Sequence, residues 1–265
     1  MLSFLNRLKL EVAKNYLLKS LPHSLEFAVI LGSGLSGDLS FIEEAIEISF
    51  SSVPFLKTSK VSGHKNKIIS GRVNERYGLF QLGRLHLYEG FSAFDVAFTV
   101  AIYGELGIKS IILTCASGGI NKTFKVGDIV MISDHINLQG ENVLIRFGNF
   151  PVFLDSSHLY DDSYYNLLKE KFGVKKGVYI GVKGPSYETP SEIVAFKKLG
   201  GDIIGMSTVQ EVLMANYYRM KVIALSVVTN MAAGLQNSLS HQEVIETGKA
   251  AQKKLYEIIR EILSK

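Results

Sequence analysis

Residues 29–37, Val-Ile-Leu-Gly-Ser-Gly-Leu-Ser-Gly, decide how the chain is to be read, because an apolar run there breaks into three glycines spaced G-x-G-x-x-G. That spacing is the fingerprint of a dinucleotide fold. Such a fold also needs a strand before the glycines, a helix directly after them, and a carboxylate about 20 residues on to hold a ribose. Phe27-Ala28-Val29-Ile30-Leu31 reads as the strand. The carboxylate is missing: at the required distance the chain reads Phe55-Leu-Lys-Thr-Ser-Lys-Val-Ser-Gly-His-Lys65. An NAD site is therefore disfavoured. Two readings of the turn stay open, a plain strand exit and a set of backbone N–H groups that receive an anion together with the Ser33 hydroxyl.

Working outward, runs of the same kind recur at residues 27–32, 78–83, 110–115, 127–132, 177–182 and 222–227, each about the length of a buried strand. Helix-period segments lie between several of them. Phe94, Phe98, Ala101, Ile102 and Leu106 trace one face, opened by a Ser92/Asp95 capping box. Val244, Ala251, Leu255, Ile258, Ile259 and Ile262 do the same at the C-terminus behind Ser240 and Glu243. Thr189, Pro190 and Glu192 fit the N-cap, N1 and N3 positions of a helix that stops at Gly200-Gly201. Thr208 and Glu211 repeat the capping-box spacing, which puts Ser207 at a helix N-terminus. The alternation predicts an α/β fold: one layered domain over residues 1–265, with a central mixed β-sheet flanked by helices.

At 265 residues and 47% hydrophobic content the chain can bury a large core. Its 29 basic and 25 acidic residues are interspersed, so no stripe suits a nucleic acid. The single cysteine, Cys115, lies in an apolar run and reads as a buried structural thiol, with no disulfide and no C-x-x-C spacing possible. Arg7, Lys9 and Glu11 interrupt the N-terminal segment before a signal-peptide core forms, and no run of 18 apolar residues occurs. The expectation is a cytoplasmic protein with no membrane or nucleic-acid partner.

Candidate chemistry is scattered. Arg84 and His86 stand two apart, so in an extended segment both face one side while Leu85 faces the other. Arginine offers a planar donor fork to phosphate oxygens and a histidine adds a donor; equally, Arg84 reads as an ion-pair partner and His64 as a satisfied core or surface histidine. A zinc site lacks carboxylate or cysteine at ligand spacing. Tyr187 and Glu188 precede a helix N-terminus, where the dipole favours a carboxylate. Side by side they also suit a heterocyclic base, one stacking and one hydrogen-bonding. Met206 reads as core packing and Ser207 as an anion contact. Thr229 and Asn230 end a buried strand, and His241 falls in the first turn of the last helix.

Taken in order, the motifs LGSGL, SGH, GRLHLYEG, ASGGIN, VGDIVMISDHINLQG, GPSYETPSE, GMSTVQEV, TNMAAG and HQEV resemble the trimeric purine nucleoside phosphorylase family, in its 6-oxopurine branch, from Val29 to Val244. The resemblance implies reversible phosphorolysis of purine (deoxy)ribonucleosides such as inosine and guanosine, with inorganic phosphate as co-substrate and no metal or organic cofactor. It assigns phosphate to Ser33, His64, Arg84, His86, the backbone N–H of Ala116, and Ser207. Tyr88 and Met206 would line the sugar, with His241 near its 5′-hydroxyl. Tyr187 would pack on the base, Glu188 take N1–H, and Asn230 bridge N7 and O6 with support from Thr229; His86, Glu188 and Asn230 are the implied catalytic set. A homotrimer is implied too, with Phe147 reaching a neighbouring site.

The chain departs from the family in three places. Cys115 stands where asparagine is common, Ser117 replaces a small apolar residue, and the loop at 141–153 is short. Rival readings are weaker: a methylthioadenosine phosphorylase calls for acidic residues where Asn230-Met231 stands, a nucleoside kinase needs a P-loop that is missing, and a silent purine-binding protein has no use for Arg84 with His86, Glu188 and Asn230.

Overall fold

A computed structural model of the chain describes residues 2–21, 24–146 and 152–265. Helix α1 (Leu2–Ser20) is followed by β1 (Phe27–Leu31), β2 (Glu43–Ser49), β3 (Lys67–Val73), β4 (Arg76–Leu82), α2 (Ala93–Glu105), β5 (Ser110–Gly119) and β6 (Ile129–Leu138). Then come α3 (Tyr165–Phe172), β7 (Lys175–Val182), α4 (Pro190–Lys198), β8 (Ile203–Gly205), α5 (Val209–Tyr217), β9 (Lys221–Met231) and α6 (His241–Leu263). All six apolar runs are strands.

The sheet is mixed, as the alternation predicts, and has two parts that share β5. One is an open wing: β2, β3 and β4 form an antiparallel meander, and β1 lies parallel between β4 and β5. The other is a closed ring, β5-β8-β7-β6-β9, sealed where β9 pairs in parallel with β5. β1 is buried along its whole length, and its alternate residues serve two cores. Ala28 and Ile30 join Ile111, Leu113, Val222 and Ala224 under Ala97, Val100 and Ala101 of α2. Phe27, Val29 and Leu31 join Ile112, Ile223 and Leu225 under Leu255, Ile258, Ile259 and Ile262 of α6. A strand covered on both faces has no polar side to show, so its sequence is a continuous apolar run.

Ser92, Thr189 and Ser240 each accept the backbone N–H of the third residue on, so three of the expected caps form. The fourth does not. Thr208 sits at φ 71° and makes no capping bond, and Glu211 is drawn away into the core by Arg84. Five elements, α1, β2, β3, α3 and β8, carry no signal among the runs and caps read from the sequence. β2 is an edge strand with glutamates along its exposed face, β3 is broken by Ser70-Gly71, and α1 buries a narrow seam of Asn6, Leu10, Ala13 and Leu17 between charges. Among the described residues no helix is long and apolar enough to cross a membrane.

The shared strand creates the site. β1 accompanies β5 only to Leu113, and β8 meets β5 only at Gly118 and Gly119. Along that edge residues 114–117 have no strand beside them, which leaves a gap at the C-terminal end of β1, where open α/β sheets bind ligands.

Candidate active site

The gap opens into a cleft of about 650 Å³, mouth included, a size suited to a small organic ligand. Ser33, Arg84, His86, Ala116 and Ser207 line one part of the expected set, and Tyr88, Tyr187, Glu188, Met206, Thr229, Asn230 and His241 line the rest. His64 stands behind this lining, its Nε2 3.1 Å from Ser33 Oγ and its ring centroid 5.2 Å from that of His86. Phe147 lies outside the described residues. Ser117, Gly118, Ile204, Gly205 and Val244 also line the cleft and lie outside the expected set of site residues.

The three glycines of the opening stretch have a different purpose from that of a dinucleotide loop, since no helix follows them and the next element is β2. A Cβ on Gly32 would come within 2.9 Å of the Thr114 carbonyl and 3.1 Å of Arg84 Nη1, so glycine is what lets the loop lie against β5 and the arginine. Gly34 adopts φ +72°, a conformation that side chains disfavour. Helix α6 clasps the turn from outside: Gln252 donates to the Gly34 carbonyl at 2.7 Å and Tyr256 to the Leu35 carbonyl at 2.6 Å.

The ion-pair reading of Arg84 holds, and one arm of the guanidinium is left over. Its Nε donates to Glu211 Oε1 at 3.0 Å and its Nη1 to the Thr114 carbonyl, while Nη2, equally buried, has no protein partner. Two arms of the fork are structural and the third has no protein partner. A buried donor without a partner is destabilising by about 1–3 kcal/mol, so the position favours an anion.

His86 and Leu85 alternate as the extended segment predicts, His86 in the cleft and Leu85 in the core. Glu89, which sequence reading missed, orients the ring. Its Oε1 lies 3.1 Å from His86 Nδ1 and accepts the His86 backbone N–H at 3.0 Å. Burial pushes the Glu89 carboxyl upward, but hydrogen bonds from His86, Ser59 and the Lys60 N–H outweigh it and hold the group below its usual range. A carboxylate on Nδ1 selects the tautomer with its proton there, which frees Nε2 for a ligand. Burial depresses the His86 pKa. Burial, then the nearness of His86, Arg84 and His241, lowers that of His64 to about 2, so its ring is neutral.

At the other end of the cleft Tyr88, Tyr187, Thr229 and Asn230 are uncharged polar groups beside the Glu188 carboxyl. Asn230 donates Nδ2–H to Thr229 Oγ1 at 3.2 Å, and Thr229 donates to the Ser117 carbonyl at 3.3 Å, so the carboxamide is anchored through β5. Burial raises the Glu188 pKa, which makes that carboxyl a stronger hydrogen-bonding partner for an N–H donor. Cys115 is fully buried, as expected, and the Ser117 hydroxyl accepts from Ser226 at 2.7 Å.

The model of the Phosphorylase superfamily matches residues 26–264. Purine nucleoside phosphorylase 1 of Geobacillus stearothermophilus is 38% identical, over 98% of each chain. The chain belongs to the purine nucleoside phosphorylase family. The bovine purine nucleoside phosphorylase is 36% identical over 92% of this chain and 90% of its own. Among solved structures, a Schistosoma purine nucleoside phosphorylase in complex with hypoxanthine superposes with a TM-score of 0.88 at 30% identity, covering 97% and 96% of the two chains. Isoform 2 from Schistosoma mansoni, in complex with cytosine and ribose-1-phosphate, gives 0.89 at 32%. As a purine nucleoside phosphorylase family member the chain is an enzyme, a glycosyl-transferring phosphorylase of this mixed-sheet fold.

Proposed function

We propose that this phosphorylase cleaves 6-oxopurine nucleosides, inosine and guanosine and their 2′-deoxy forms, by reversible attack of inorganic phosphate, giving free base and (deoxy)ribose 1-phosphate. One observation carries the reading. A single cleft holds a buried arginine with an unpartnered arm at one end and a carboxyl beside an anchored carboxamide at the other. The first suits a dianion and the second a purine edge.

Breaking a glycosidic bond leaves positive charge on the sugar and negative charge on the departing base, so a catalyst must stabilise both. Phosphate held by Ser33, Arg84, His86, the Ala116 N–H and Ser207, with His64 behind Ser33, supplies the nucleophile and a negative neighbour for the sugar cation. Tyr88 and Met206 cover the sugar and His241 reaches its 5′-hydroxyl. Tyr187 packs on the base, Glu188 accepts N1–H, and Asn230, steadied by Thr229, accepts N7–H while donating to O6. The phosphate oxygen bonds to C1′, the C1′–N9 bond breaks with its electron pair going to the base, and the proton lost by hydrogen phosphate ends on the base. Preorganised dipoles do this work, without a covalent enzyme intermediate, metal or organic cofactor.

The reading extends to a homotrimer in which Phe147 reaches a neighbouring subunit's site. The direct test of the activity is hypoxanthine release from inosine with and without phosphate. Release that depends on phosphate supports the proposal; release at the same rate without it sinks it.

A further inference from the structure

Thr208 carries a strained backbone at the edge of the cleft. Its φ of 71° and ψ of −46° lie where a β-branched residue is rarely found. Val209 donates its N–H to the Ser207 carbonyl at 2.8 Å, closing a three-residue γ-turn of the rare, strained hand. Such a turn persists only where its surroundings over-determine it.

The surroundings are unusual in composition. The Tyr179 hydroxyl, on β7, accepts the Ser207 N–H at 3.2 Å and donates to the Ser207 carbonyl at 3.4 Å. Gln139, the residue after β6, donates Nε2–H to the same carbonyl at 3.3 Å. Gln139 Oε1 in turn receives Gln210 Nε2 at 3.0 Å. Gln210 also donates to the Glu141 carbonyl at 2.9 Å and accepts the Val143 N–H at 2.8 Å. Backbone groups thus fix which way Gln210 faces, and Gln210 fixes Gln139. Both side chains are buried, at 3% and 1% exposure. Glutamine is mostly a surface residue, so a fully satisfied buried pair that ends on the strained turn calls for a reason.

We propose that Gln139 and Gln210 are positioning residues for phosphate. The amide pair clamps the loop after β6 to the first turn of α5 and holds the turn at Thr208 in the geometry that presents Ser207 to the anion. The clamp rests on the reading of Ser207 as a phosphate contact. Neither glutamine touches the substrate.

The experiment compares Gln139→Met and Gln210→Met, which keep chain length and remove the amides, with Ser207→Ala. Loss of one buried hydrogen bond corresponds to roughly a five- to tenfold rise in the phosphate KM, with the inosine KM and kcat at saturating phosphate within about twofold of wild type. The rise in Tm that phosphate produces in the nucleoside-free protein shrinks in parallel. In a Thr208→Gly background the effect of Gln139→Met falls to less than about twofold, because glycine holds a positive φ without a Cβ penalty and needs no clamp. If the methionine variants do not fold, Gln139→Asn, which withdraws the amide from Ser207, carries the same expectations. An unchanged phosphate KM, an equal rise in both KM values, or a full effect in the glycine background overturns the clamp. If Ser207→Ala leaves the phosphate KM unchanged, the assignment of Ser207 fails first; if it raises the KM while the glutamine variants do not, the clamp alone fails.

Discussion

Arg84 and Glu211, 127 residues apart in sequence, meet in an ion pair sealed from solvent, with Nε donating to Oε1 at 3.0 Å and exposures of 1% and 0%. A pair this deep is weak evidence for stability but costly to break, because the surviving charge is left without a partner. Arg84→Ala is therefore expected to lower unfolding free energy by about 3–5 kcal/mol and to weaken phosphate far more than nucleoside. Arg84→Met with Glu211→Leu should recover most of the stability and none of the phosphate affinity. Denaturant unfolding and phosphate KM on the three proteins separate the two roles; a double variant that regains phosphate binding would remove Arg84 from the anion site.

The histidines set an acid limit. His64 titrates near 2 in the folded protein against an ordinary 6.5, with burial the leading cause. The unfolded chain therefore binds the proton that the folded chain refuses. Stability from this source is full above pH about 6.5 and falls with decreasing pH, by up to about 1.4 kcal/mol per pH unit. His86 shifts in the same direction. In His64→Asn, Tm should decline less steeply than wild type between pH about 7 and 5; identical slopes would mean that His64 is not held neutral.

On the proposed reading, base choice turns on Asn230. There its carboxamide would accept from N7–H while donating to O6, whereas a 6-amino base would set donor against donor. Sites built on such hydrogen bonds reject the wrong analogue by roughly 10⁴ to 10⁵-fold. Inosine should be cleaved well and adenosine poorly, with Asn230→Asp narrowing the gap. The measurement is the ratio of kcat/KM values for the two nucleosides, which reads cleavage and not occupancy of the cleft. A wild-type ratio near one would end the 6-oxopurine assignment.

Assembly is checked by light scattering at assay concentration. A closed cyclic trimer predicts three times the 29.3 kDa of one chain, and Phe147→Ala should raise the nucleoside KM without changing that mass. A monomer with full activity contradicts the proposed trimer.

Much of this architecture is legible in the sequence where burial is two-sided. The runs in β1, β4, β5 and β9 are buried on both faces, and those in β6 and β7 over most of their length, so composition marks them. β2 shows the opposite limit, an edge strand whose burial is confined to Ile48 and a little of Ile46. Thr208 and Glu211 mislead because their spacing suits a cap, while the energetically larger partner of Glu211 lies on another element. Glu89 was within reach of sequence reading: it stands three residues after His86, and both occupy one short helical turn. The Gln139–Gln210 pair was not, since nothing in either segment announces that the two meet.

The closed ring has a consequence for how the protein is made. β5 is complete at residue 119, yet β9, which seals the ring against it, starts only at residue 221. During synthesis β5 therefore waits with an open edge for about a hundred residues, the kind of edge that recruits other chains. Asn230 and His241 arrive later still. A message truncated before β9 is expected to yield an adhesive fragment with no partial activity, and a ribosome that pauses there leaves the longest window for a chaperone to bind.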